Sequence, residues 1–311
     1  MYDLIGDIHG YASELKALLA KMDYQEINGI WQHPERKVIF LGDFVDRGPD
    51  QVETVQIARS MVESDHALAV MGNHEFNAVA WATPDPKNAG DYLRSHTEKN
   101  QRQHQAFLEQ VGEGTELHQC MIEWFKTLPV YLDLPEFRVV HACWHPEHLT
   151  AIANHTDAQN RLVPEAWEKA SRKDSEAYDA IETLLKGLEI PLLGDHHFFD
   201  KDNNKRTNIR AEWWREGELT YHDLAMVPPE VLELIPHDLI PDDVLPGYDG
   251  EKPVFVGHYW MDGQPATLNS HIACLDYSVA GEVGGKLCAY RFDGSVTLNS
   301  KNFAWVERNQ A

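Results

Sequence analysis

Positive charge is scarce in this chain. Against 50 Asp and Glu stand 27 Lys and Arg, a formal net charge of −23. A field of that sign repels nucleic acid and anionic membranes, which excludes both as general partners. It also repels phosphorylated ligands, so any phosphate site needs local positive charge, and bound divalent cations would supply it. Plain solubility accounts for most of the acidity. Cysteine is scarce too. Cys120, Cys143, Cys274 and Cys288 show no C-x-x-C spacing and are expected to be reduced thiols. No apolar run approaches the length of a membrane span, no secretory pattern precedes the first motif at Gly6, and repeats and low-complexity linkers are missing. The expectation is a soluble cytoplasmic protein. Its 311 residues, 43% of them hydrophobic, suffice for a large core.

What is present begins with apolar runs that break into glycine and a polar donor. Asp3-Leu4-Ile5 leads into Gly6-Asp7-Ile8-His9-Gly10. Val38 to Leu41 leads into Gly42-Asp43-Phe44-Val45-Asp46-Arg47-Gly48. Ala67 to Met71 leads into Gly72-Asn73-His74-Glu75. Between them, Leu15, Leu18, Leu19 and Met22 recur at helical spacing and predict a helix over about 12–22. Pro49 opens a second helix that carries Val52, Val55 and Met61; residues 25–37 read as a polar connection. Strand, motif and helix in alternation predict an α/β fold with a mostly parallel sheet, which gathers the motifs at one edge.

Farther on, two helices are expected over 94–110 and 117–126, then strands over 129–134 and 137–140 that end at His141. A charged helical piece covers about 164–187, and the proline-rich stretch 228–253 reads as irregular. Val254-Phe255-Val256 runs into Gly257-His258, and residues 271–276, 286–292 and 295–299 read as closing antiparallel strands, the last two joined by Asp293-Gly294. One domain over 1–311 is expected, with an inserted lid or side wall at about 144–253.

The strand ends thus supply Asp7, His9, Asp43, Asn73, His141 and His258. Carboxylate, amide and imidazole donors together suit Mn, Fe or Zn better than Ca or Mg. Any one of them alone would read as a loop cap; five such motifs in order make a strong pattern. Asp200, Asp202 and Asn204 alternate as in a calcium loop, but Lys205 stands where glycine is required, so no site is assigned there. His145 and His148 are expected at the surface or behind the donors.

The blocks Gly6–Gly10, Gly42–Gly48, Gly72–Glu75, Val140-His141-Ala142 and Val256-Gly257-His258 resemble the signature blocks of the phosphoprotein phosphatase (PPP-type) branch of the calcineurin-like metallophosphoesterases. Bacterial members of that branch include serine/threonine protein phosphatases and diadenosine tetraphosphate hydrolases. The resemblance is residue for residue over about the first 80 positions and thinner at His141 and His258. It implies a β-sandwich of two mixed sheets flanked by helices. It implies two divalent metal ions, manganese first, one held by Asp7, His9 and Asp43 and the other by Asp43, Asn73, His141 and His258. Two departures stand out: Cys143 where glycine is common, and Trp260 where many phosphodiesterase relatives carry a second histidine.

The implied reaction is attack on phosphorus by a hydroxide bridging the metals. His74 would protonate the leaving oxygen, Asp46 would hold its tautomer, and Arg47 would grip phosphate oxygens. The alternatives are an Asp46–Arg47 turn pair and a helix-capping His74. A second phosphate arginine is implied between His141 and His258, with Arg210 and Arg206 as the candidates. The first expectation for substrate is a phosphomonoester, either a phosphorylated protein or a small phosphorylated metabolite. The alternative is a dinucleoside polyphosphate, with Trp213, Trp214 or Trp260 as stacking surfaces. A non-catalytic phosphate-binding scaffold would show eroded donors, and none is missing.

Overall fold

The computed structural model describes residues 1–200, 204–241 and 243–308. Its first third follows the strand–motif–helix rhythm. β1 (Tyr2–Ile5) and α1 (Ala12–Lys21) come first, then the hairpin β2 (Gln25–Ile27) and β3 (Ile30–Gln32). β4 (Lys37–Phe40), α2 (Gln51–Glu63), β5 (Ala67–Ala69) and α3 (Asn73–Ala82) continue it. The hairpin corrects the polar connection expected over 25–37. Its turn, Asn28-Gly29, takes φ of 54° and 81°, which glycine and asparagine tolerate and tight hairpins require.

α4 (Glu98–Val111) and α5 (Glu116–Phe125) follow. α4 starts later than expected because Thr97 Oγ1 accepts the Asn100 N–H at 3.2 Å and fixes the helix start. β6 (Tyr131–Asp133) and β7 (Arg138–Val140) form the expected hairpin. The segment after His141 holds α6 (Pro146–Ala153), α7 (Ala166–Ala170) and α8 (Glu176–Lys186). The helical piece expected over 164–187 is therefore two helices, the second begun by Ser175, whose hydroxyl accepts the Tyr178 N–H at 3.1 Å.

β8 (Glu189–Pro191), β9 (Phe198–Phe199), β10 (Lys205–Arg206) and β11 (Asn208–Arg210) make two small antiparallel pairs, and α9 (Tyr221–Leu224) and α10 (Pro229–Leu232) are single turns. β12 (Val254–Val256), β13 (Ile272–Cys274), β14 (Asp276–Tyr277), β15 (Lys286–Arg291) and β16 (Phe303–Glu307) complete the chain.

Two mixed sheets result. One runs β14-β15-β1-β4-β5 with β16 on β15; the other runs β13-β12-β7-β6. β1, β4 and β5 are parallel, as expected. Two expectations at the C-terminal end fail. β13 lies parallel to β12, not antiparallel. The partner of β15 is Phe303–Glu307, because Leu298 N–H bonds the Ser270 carbonyl at 2.8 Å and Asn299 caps a helical turn at Ser300–Asn302.

The sheets face each other across Leu4, Ile39, Leu41, Val70, Phe137, Phe255, Tyr290 and Phe292, all buried. Phe255 lies 5.7 Å from Phe137 and 5.0 Å from Tyr290, ring centre to ring centre. The opposite faces of β1 and β4 carry Ile5, Val38 and Phe40 into a second core shared with α1 and α2. Burial on both faces is why these strands read as unbroken apolar runs.

Candidate metal centre and phosphate cleft

Every sequence-predicted donor follows a strand of the two facing sheets, five of them in loops and Asn73 at the first position of α3, and these strand ends converge. Asp7 and His9 follow β1, Asp43 follows β4 and Asn73 follows β5; His141 follows β7 and His258 follows β12. His9, Asp43, Asp46, Arg47, His258 and Trp260 all take positive φ, between 50° and 81°. Non-glycine residues held there cluster where function requires a particular side-chain aim. The Asp43 and Asn73 loops touch through glycine: a Cβ on Gly42 would sit 2.3 Å from the Gly72 nitrogen. Glu75 fastens them. Its buried carboxylate accepts N–H groups from Asp43 and Phe44, each at 2.8 Å, and from Gly72 at 3.0 Å.

The donor atoms form two groups around Asp43. Those of His9, Asp43 and His74 lie within 4.8 Å of one another, as do those of Asp43, His141 and His258. Asp43 Oδ2 is 3.3 Å from His141 Nε2 and 3.8 Å from His9 Nε2. Asn73 Oδ1 lies 3.3 Å from His141 Nε2 and 2.8 Å from His258 Nδ1. Asp7 belongs to neither tight group: its Oδ2 accepts the His258 backbone N–H at 3.0 Å, and its Oδ1 is buried without a partner.

The residues fit a pair of divalent cations. His9 and His141 each turn Nδ1 to a backbone carbonyl, that of Val45 at 3.0 Å and Leu41 at 2.7 Å, which aims Nε2 inward. His9 Nε2, His258 Nε2 and Asp7 Oδ1 are buried and lack any hydrogen-bond partner. Burial, with His74 beside it, pushes His9 down to about 3, so its imidazole is neutral and free to ligate. Burial would also lower His141, but Asp43 and Asp7 pull it up to about 10: the buried carboxylates call for positive charge at this point. Burial and the neighbouring Asp276 raise Asp7 well above the usual range.

His74 stands over this cluster, Nε2 3.9 Å from Asp43 Oδ2. Its Nδ1 lies 2.5 Å from Asp46 Oδ2, the pairing expected from the sequence. The Asp46–Arg47 turn pair does not form. Burial alone would lower His74, but Asp43 and Asp46 more than offset it and raise its pKa. Burial would raise Asp46; hydrogen bonds and charge from His104 and His74 hold it well below the carboxylate range instead.

A cleft of about 480 Å³ opens beside these groups, lined by Asp43, Asp46, Asn73 and His74 and also by Arg47, Arg94, Lys186, Arg206 and Arg210. Arg47 lies over the Trp260 ring, 4.6 Å from its centre. The two predicted second arginines differ. Arg206 is paired with Asp200 at 2.8 Å, whereas Arg210 has a buried Nε with no partner. Trp213 is buried and donates its indole N–H to the Ala142 carbonyl at 3.2 Å; it and Trp214 are core residues, not stacking surfaces. Cys143 is buried in the same core. His145 and His148 pack on each other, centres 4.4 Å apart, outside both donor groups. Asp200 of the discounted calcium loop bonds Asn204, and Asp202 lies outside the described residues.

Sequence reasoning missed Arg94, His104 and a role for Glu75. Glu75 had a clue in its place within the third block. Arg94 and His104 had none, each being one polar residue in a polar helical stretch.

The calcineurin-like phosphoesterase family model matches residues 2–258. The chain belongs to that family. It is accordingly a phosphoesterase, a hydrolase. A bis(5'-nucleosyl)-tetraphosphatase (asymmetrical) of Oceanobacillus iheyensis is 31% identical over 149 residues, 47% of this chain and 57% of that one. The aligned part thus spans a little over half of that relative. A symmetrical bis(5'-nucleosyl)-tetraphosphatase of Vibrio vulnificus is 26% identical over 302 residues, 95% of this chain and 93% of that one. A serine/threonine phosphatase structure from Saccharomyces cerevisiae aligns with all of this chain and 80% of its own, at 12% identity and a TM-score of 0.44. No helix among the described residues is long and apolar enough to cross a membrane.

Proposed function

We propose that this phosphoesterase hydrolyses dinucleoside polyphosphates, with two divalent cations held by Asp7, His9, Asp43, Asn73, His141 and His258. Manganese suits this donor set first, then iron or zinc. The observation that carries the substrate class is the charge of the cleft. Arg47, Arg94, Lys186, Arg206 and Arg210 converge there in a chain of net charge −23. One or two arginines grip a single phosphoryl group; five cations suit a chain of phosphates. Lys186 is paired with Glu182 and Arg206 with Asp200, but Arg47, Arg94 and Arg210 form no ion pair among the described residues. The activities named for the two bacterial relatives agree with this reading.

Bound divalent cations would acidify water and offset charge on the phosphate oxygens. Arg47 and Arg210 hold the non-bridging oxygens of the reacting phosphate in bidentate fashion, and Arg94 and Arg206 meet the phosphates beyond it. His74 delivers a proton from Nε2 to the leaving oxygen, while Asp46 keeps the Nδ1–H in place.

A phosphomonoester, including phosphoserine or phosphothreonine, remains the second reading. The His74–Asp46 pair favours it, since an alkoxide leaves poorly without a proton. A direct comparison of kcat/KM with manganese decides between them. Diadenosine tetraphosphate is expected to exceed a phosphopeptide and an aryl phosphate by about 100-fold or more, the discrimination available when built polar contacts go unused. A phosphopeptide preferred over the tetraphosphate would overturn the proposal. Unchanged turnover in Asp43→Asn would remove the assigned centre altogether.

A further inference from the structure

We infer that His104 is a positioning residue for this reaction, acting through Asp46 to fix the aim of His74. The inference rests on the reading of His74 as the acid. Asp46 commits both carboxylate oxygens to imidazoles: Oδ2 lies 2.5 Å from His74 Nδ1 and Oδ1 lies 2.7 Å from His104 Nδ1. The two rings come from different helices, α3 and α4. The Asp46 backbone N–H is fixed as well, donating to Gln51 Oε1 at 2.6 Å. A carboxylate tied through one oxygen can swing about χ2, a broad torsion; tied through both to separate elements, it cannot.

The surroundings of His104 point the same way. It is 4% exposed, its ring lies against Phe107 with centres 5.0 Å apart, and the Trp81 ring meets it in a T-shaped arrangement with centres 6.1 Å apart. Its Nε2 is buried without a partner. A phenylalanine or leucine could fill such a place without leaving a polar atom unsatisfied, which costs about 1–3 kcal/mol. What the histidine adds is a charge-assisted hydrogen bond to Asp46. If that bond is lost, the carboxylate is free to rotate and the proton on His74 is no longer aimed at the leaving oxygen.

Misaim of an acid hurts basic leaving groups and spares acidic ones, whereas a general loss of structure hurts both alike. The test uses the full chain with manganese on aryl phosphates from dinitrophenyl to phenyl, with melting curves for each variant. His104→Ala is expected to lower kcat on phenyl phosphate about 10- to 100-fold and on dinitrophenyl phosphate by no more than about threefold, with KM nearly unchanged. His104→Asn, whose amide N–H can reach Asp46, is expected to restore most of the loss. It also keeps the test open should His104→Ala fold poorly. Equal losses on both substrates, or no rescue by asparagine, would overturn the proposal and leave His104 as an anchor for α4. His74→Ala separates the two possible failures. Leaving-group dependence there but not in His104→Ala overturns the positioning role alone; its lack in His74→Ala removes the acid reading and this inference with it.

Discussion

Trp260 occupies a left-handed backbone position at the mouth of the cleft, its N–H held by Asp276 at 2.8 Å, and lays its ring under Arg47. It is 38% exposed, so its contribution is orientation more than burial. A cation–π contact of this kind is worth about 0.5–2 kcal/mol. Trp260→Ala is therefore expected to raise KM for the polyphosphate roughly 3- to 30-fold and to change kcat less, in steady-state kinetics. Phenylalanine should recover part of the loss. At this scale the sequence was informative wherever chemistry follows an apolar run: Asp7, Asp43, Asn73, His141 and His258 each sit at the end of a strand-like stretch. Arg94 lies in the connection between α3 and α4 and His104 lies on α4, and both line the cleft through tertiary packing that no local pattern records. The substrate reading changed for a related reason. Asp46 alone tipped the sequence reading toward a phosphomonoester over a dinucleoside polyphosphate, and the cations that favour a polyphosphate are scattered from Arg47 to Arg210.

The elements tell a similar story. Parallel β1, β4 and β5 were legible because burial on both faces writes an apolar run. β2 and β3 were not, since all six residues are at least partly exposed and no apolar run marks them. The last strand was misplaced because Leu298 and Asn299 find partners outside the sheet. β1 also carries a buried charge remote from the chemistry. Asp3 is fully buried, accepts from Tyr24 Oη at 3.0 Å and from Arg36 Nε at 2.8 Å, and lies 3.4 Å from Arg291 Nε. Arg36 spans β1 and the loop after β15, since its Nη2 also reaches the carbonyls of Tyr2 and Phe292. Breaking a buried pair from one side costs about 3–5 kcal/mol, and Arg291 remains to soften it. Arg36→Ala should destabilise by about 3 kcal/mol in denaturant melts while kcat/KM of the folded protein stays unchanged. Loss of activity in proportion to stability at temperatures where the variant is folded would refute that separation.

Over the whole molecule, a chain of net charge −23 carries a cleft lined by four arginines and a lysine, with the carboxylates of Asp43 and Asp46 among its walls. Cations bound at the proposed centre would offset that negative charge and stabilise the native state by mass action, by about 2.7 kcal/mol at a hundredfold excess over Kd. After chelator treatment, adding manganese should raise the melting temperature by roughly 5 °C, and Asp43→Asn should abolish most of that shift. An equal shift in the variant would place the ions elsewhere. The donors themselves come from both sheets: Asp7, Asp43 and Asn73 from the ends of β1, β4 and β5, His141 and His258 from β7 and β12. The gap between the sheets is consequently the ruler of the centre, and Phe137, Phe255 and Tyr290 set its length. A methylene lost from that apolar layer would be expected to shift imidazole relative to carboxylate, so the greasiest residues of this protein are under the same demand for accuracy as its proposed metal ligands.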